Sequence, residues 1–139
     1  MKRASLLVLL LGACGSSSES AGPDGGGGAP DGGSPAIACA PIAEVTPTVC
    51  SMPGAARNVI FKNGCSEAVD IWWVNAMCGE TFYQRLQPGM MYTQASFVTH
   101  PWRARTVPAG AAPGAPGGKL LKEFGAIPPG TDELIFALP

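Results

Sequence analysis

Ser96 and His100 stand four residues apart, and a hydroxyl near an imidazole offers two kinds of chemistry. One is a nucleophile with its general base, and the other is a pair of hydrogen-bonding groups for a ligand. Catalysis needs a third group to orient the imidazole, and none is evident. GxSxG, HExxH and a Gly-rich phosphate loop are also absent, so the chain reads as a non-enzyme. His100 is the single histidine and no CxxC pair occurs, which argues against a metal or another cofactor. The richer constellation is aromatic, with Trp72, Trp73, Phe82, Tyr83, Tyr92, Phe97 and Trp102 close together in sequence. Most of these suit a β core. Some of them, with hydroxyl and imidazole neighbours, also suit a pocket for a peptide.

Short strands must position these groups. Asn58–Lys62 and Ala68–Val74 are rich in β-branched and aromatic residues, and Asn63-Gly64 between them predicts a hairpin turn. Side chains alternate along a strand, so Trp72 and Trp73 point to opposite faces. Thr81–Leu86 is partly extended and Pro88-Gly89 turns the chain. Met91–Phe97 and His100–Thr106 read as a second hairpin around Val98-Thr99. Pro108–Gly118 is low in complexity and reads as a mobile insertion. Lys119–Phe124 and Glu133–Leu138 supply the last strands. The fold expected is all-β, a small sandwich of about seven to eight short strands. Gly 19 and Pro 14 fit this reading, because both oppose helix interiors.

A length of 139 residues suggests one folded domain, and a net charge of −1 carries no basic footprint for nucleic acid. Residues 1–13 read as a lipoprotein signal peptide: Lys2 and Arg3 precede the apolar run Leu6–Leu11, which is too short to span a bilayer. Leu11-Gly12-Ala13-Cys14 resembles a bacterial lipoprotein signal box with Cys14 as the lipidated residue. Residues 14–38 then form a tether, since 16 of the 24 residues after Cys14 are Gly, Ser or Pro. Such a stretch buries too little apolar surface to order itself. The expected setting is export and lipid anchoring in the bacterial cell envelope. Gly15, where inner-membrane retention would use Asp, favours the outer membrane.

Cys39, Cys50, Cys65 and Cys78 remain, an even number in an exported chain, and read as two disulfides. A Cys65–Cys78 bond is disfavoured, because the strand between them holds the two about 30 Å apart at roughly 3.3 Å per residue. The hairpin register favours Cys50–Cys78 with Cys39–Cys65. Residues 39–58 are accordingly an N-terminal extension tied down by disulfides.

The order of residues from Val59 onward resembles the β domain of the von Hippel–Lindau tumour suppressor family. The resemblance rests on VIFKN (59–63), VDIWWVN (69–75), Tyr83 with Leu86-x-Pro88-Gly89, Ser96, His100-x-Trp102 and the ending 135–139. It places that domain at 59–139. It implies a β-sandwich that recognises 4-hydroxyproline in an extended peptide. By position, Trp73, Tyr83 and Trp102 would line the pocket for the ring, and Ser96 and His100 would meet its hydroxyl. Ala95 stands where the family has His, and Phe97 where it has Tyr. The family's helical α domain has no counterpart after Pro139, so a ubiquitin-ligase adaptor is not an expected partner. The function expected is recognition of a hydroxyproline-bearing or proline-rich peptide. The alternative is a structural or adhesive sandwich with a vestigial pocket.

Overall fold

Successive side chains of a strand alternate between faces, and Val59 and Phe61 fall on the inward face with the less buried Ile60 between them, as Val69 and Ile71 do in their own strand. The structure, a computed structural model, describes residues 37–130 and 133–139. The expected signal peptide, Cys14 and the expected tether through residue 36 lie outside the described residues. Among the described residues the elements are seven strands: β1 (Ala56–Lys62), β2 (Val69–Val74), β3 (Glu80–Leu86), β4 (Met91–Phe97), β5 (Trp102–Thr106), β6 (Leu120–Phe124) and β7 (Leu134–Ala137). They form two sheets, of order β4-β1-β7 and β3-β2-β5-β6. β1 pairs antiparallel with β4 and parallel with β7.

The sheets enclose one core. Val59 and Phe61 of β1 share it with Ile71, Trp102, Ala104 and Phe124 from the other sheet. The Phe61 ring lies 5.1 Å from Trp102, 5.6 Å from Phe136 and 5.8 Å from Phe124, so one side chain joins both layers.

The expected hairpin around Asn63-Gly64 does not form, because β1 and β2 belong to different sheets. A two-residue Asn-Gly hairpin turn of type I′ needs positive φ at both positions, and neither residue has it. Asn63 is instead fully buried, and its amide donates to the carbonyls of Glu67 (2.9 Å) and Leu86 (3.0 Å). Its side-chain oxygen accepts from Cys65 N–H at 2.9 Å. Gly64 permits the close approach of the chain end, since a Cβ there would lie 2.0 Å from the Pro139 carbonyl oxygen. The second expected hairpin is corrected in the same way. β4 joins β1, whereas β5 joins β2 and β6, so the turn after Phe97 crosses between sheets.

Cys39 bonds Cys65 and Cys50 bonds Cys78, with Cα separations of 5.3 and 4.7 Å. This is the favoured pairing, although no hairpin brings it about. β2 holds Cys65 and Cys78 at its opposite ends, and Ser51 N–H reaches the Asn75 carbonyl at 3.3 Å, beside Cys78. The segment between Cys39 and Cys50 is thereby stapled at both ends. Ile42 N–H donates to the Leu120 carbonyl at 2.8 Å, and Val45 accepts from Arg103 at 2.6 Å. Arg103 is only 2% exposed, and it donates to Glu80 at 2.9 Å and to Glu123. Arg105 joins Glu80 at 2.6 Å and Glu44, extending the network to the stapled segment.

Pro108–Gly118 is held in place, contrary to the mobile insertion expected. Arg85, paired with the buried Asp70 at 2.7 Å, donates to the carbonyls of Ala111 and Ala112 at 2.7 and 3.0 Å. Gly114, at φ +74°, lies against the Phe82 ring, where a Cβ would sit 2.7 Å from a ring carbon. Low complexity hid these anchors, because backbone carbonyls accept them whatever the side chain.

Two stability measurements follow from this architecture. The Cys50→Ser, Cys78→Ser pair opens a loop of sequence separation 28. Urea denaturation is expected to show a loss of roughly 3–4 kcal/mol on the chain-entropy scale. Arg103→Ala strands carboxylates beside a buried position. The expected loss is about 3 kcal/mol, at the low end for a broken buried pair, because Glu80 keeps Arg105.

Candidate functional site

Four strands and one turn deliver the five side chains expected at the site. Trp73 comes from β2, Tyr83 from β3, Ser96 from β4, His100 from the β4–β5 turn, and Trp102 from the start of β5. Ser96 faces inward along β4, whose pattern alternates exposed and covered positions, and it is 4% exposed. Trp102 is 1% exposed. Its indole N–H donates to Ser96 Oγ at 3.3 Å, and Ser96 Oγ lies 3.5 Å from His100 Nδ1. Trp73 lies 5.2 Å from the His100 ring and 6.3 Å from Tyr83, and Tyr83 packs edge-on against Trp102 at 4.9 Å. The structure thus brings all five into one contiguous cluster. Trp72 takes the opposite face of β2, as alternation requires, and packs against Phe82 at 5.5 Å.

The turn carrying His100 is locked on both sides. Thr99 has φ 78°, a conformation rare for a β-branched residue, and strain of this kind costs on the order of 1–3 kcal/mol. Thr99 N–H donates to the Ile127 carbonyl and Thr99 Oγ1 to the Met52 carbonyl, at 2.8 and 2.7 Å. Burial pushes the His100 imidazole below its ordinary pKa, so the ring is neutral at pH 7 and keeps one acceptor nitrogen. Ser96 retains acceptor capacity after receiving the Trp102 N–H. The pair can therefore both donate to and accept from a small hydroxyl. Among the described residues no group of three His, Cys, Asp or Glu side chains could hold a metal ion.

Residues 51–54 form a wall that the sequence reading missed. Ser51 Oγ accepts the Trp73 indole N–H at 2.6 Å and donates to the Val74 carbonyl at 2.5 Å, which sets the ring's orientation. Val98 N–H donates to Ala55 at 2.8 Å, and Gly54 passes so near that a Cβ would sit 2.2 Å from the Val98 carbonyl oxygen. Between this wall and Trp73, Phe97 and His100 lies a cavity of about 370 Å³. The available signal was Cys50: pairing it with Cys78 carries the next residues past the end of β2. Ala95 and Phe97 point outward from β4, and Phe97 is 45% exposed.

The two-sheet β-sandwich thus gathers an aromatic cluster around the buried Ser96 and the half-buried His100. Residues 49–111 match the model of the VHL beta domain family, which the chain resembles over that stretch. The match begins ahead of Val59, takes in the 51–54 wall, and ends before β6. No curated protein sequence matches the chain.

The local electrostatics make a direct prediction. In an NMR titration the His100 ring is expected to titrate with a midpoint below 6.5. The unfolded chain then takes up the proton first. Stability linked to His100 is therefore intact above pH 6.5 and declines as pH falls through the folded-state midpoint. A midpoint at or above 6.5 would show that the ring is not desolvated.

Proposed function

We propose that this domain is a non-catalytic recognition module for an extended peptide bearing hydroxyproline, with the ring received by the aromatic cluster. One observation carries this reading: Ser96 Oγ sits between Trp102 Nε1 and His100 Nδ1, beneath Trp73 and Tyr83. An aromatic surface accepts a pyrrolidine ring through its faces and edges. The Ser/His pair supplies the polar specificity. A ligand hydroxyl satisfies groups that plain proline would leave desolvated, at about 1–3 kcal/mol for each unpaired group. A site of this kind rejects an analogue that lacks the hydroxyl. β4 is an edge strand of its sheet, so its outer backbone groups can pair with an extended chain.

The same reading places the domain on an exported lipoprotein, anchored through Cys14 and carried on the tether to residue 38, in the bacterial envelope and on the outer membrane. Lys2, Arg3, Leu6–Leu11 and Cys14 support it. Disulfides also suit an oxidising compartment.

The test is a titration of the oxidised chain with peptide pairs that differ only in 4-hydroxylation of one proline. The expected preference for the hydroxylated form is about tenfold or more, roughly 1.4 kcal/mol, and Ser96→Ala should abolish it. Equal binding of both forms, or none, by the folded chain would favour a structural or adhesive sandwich.

A further inference from the structure

A cavity lies between the 51–54 wall and the side chains of Trp73 and His100. It measures about 370 Å³. Tyr83, Ser96 and Trp102 do not line it, whereas Trp73 and His100 do. The cavity therefore adjoins the aromatic cluster and is continuous with it through those two side chains.

We propose that this cavity is a second subsite, which seats an apolar side chain flanking the proline of the bound peptide; the inference rests on the peptide-recognition reading above. The lining chemistry selects the occupant. Met52, Pro53, Ala76 and Phe97 contribute apolar surface, and no Asp, Glu, Lys or Arg lines the space. The Ser51 hydroxyl is engaged on both sides, accepting from Trp73 and donating to Val74. A polar or charged side chain entering here would lose its water and find little in return. A leucine-sized group would lose only unfavourable hydration, and it would cover Met52, which is 58% exposed. Met52 is also the lining residue best able to adapt its shape, being unbranched and polarisable.

The subsite is built in advance of binding. Cys50–Cys78 anchors one end of the wall, the Thr99 Oγ1–Met52 hydrogen bond holds its middle, and Val98 N–H fixes Ala55. Gly54 allows the wall to approach Val98 as closely as it does. A wall held in this way needs little ordering when a peptide arrives, which lowers the entropic cost of association. Ser51 is a positioning residue, because it acts on the ligand through Trp73.

The experiment uses the oxidised chain and hydroxyproline peptides in which each residue flanking the hydroxyproline is, in turn, Gly, Leu or Asp. The expected result is that Leu at one flank binds about tenfold more tightly than Gly, and Asp no better than Gly. Ala76→Trp, which fills the cavity from an exposed position, and Met52→Asp, which charges its rim, should each bring the Leu-to-Gly ratio towards one. The Gly-flanked peptide in hydroxylated and plain forms is the control for the underlying reading. If the hydroxyl preference is present and Leu and Gly bind alike at both flanks, the subsite is overturned while hydroxyproline recognition stands. If no hydroxyl preference is seen, the recognition reading fails and the subsite falls with it.

Discussion

Trp102 belongs to the core and to the site at once, and much of the molecule is organised around that double role. Its ring packs 5.1 Å from Phe61 of the opposite sheet, so it helps to clamp the two layers. Tyr83 rests against it at 4.9 Å, and its N–H reaches Ser96 on β4. An indole is suited to this position because it buries a large apolar area while keeping one polar handle. The pocket floor is therefore as rigid as the core beneath it. Side chains that meet a ligand gain by such fixing, since they need not be ordered when it binds.

A core of this size needs help, and the N-terminal extension supplies it. The folded part is small for a two-layer sandwich, a range in which disulfides commonly supplement burial. Both disulfides join the extension to the ends of β2. Between them the segment adds Glu44 and the Val45 carbonyl to the Arg103–Arg105–Glu80–Glu123 network on the β3-β2-β5-β6 sheet. Beyond the second staple the chain forms the 51–54 wall, so the device that stabilises the fold also shapes the site.

Departures from the family's pattern fall on one face. Ala95 and Phe97 point outward from β4, while Ser96 between them points inward to the Trp102–His100 cluster. A change at 95 or 97 therefore alters the outer surface of β4. It leaves the Ser/His pair that would meet a ring hydroxyl in place. On the other side of His100, Met52 and Pro53 of the 51–54 wall line an apolar cavity.

The sequence alone located the short strands and separated the two tryptophans of β2. Alternation in VDIWWV separated Trp72 from Trp73, and turn residues marked the breaks between short strands. The gathering of Trp73, Tyr83, Ser96, His100 and Trp102 was also legible, because their spacing resembles a family whose scaffold brings such residues together. Pairing was not legible. Local period says which side of a strand is buried but carries no term for which strand lies beside it. Asn63-Gly64 has the composition of a hairpin turn, yet the amide of Asn63 finds Leu86 and Gly64 yields to the chain end. Those partners are distant in sequence, so only the assembled sandwich could decide between turn and crossover. Ser51 shows the same thing at the site. Its residue type is unremarkable, and it became part of the pocket because Cys50–Cys78 and the end of β2 brought its hydroxyl within 2.6 Å of Trp73.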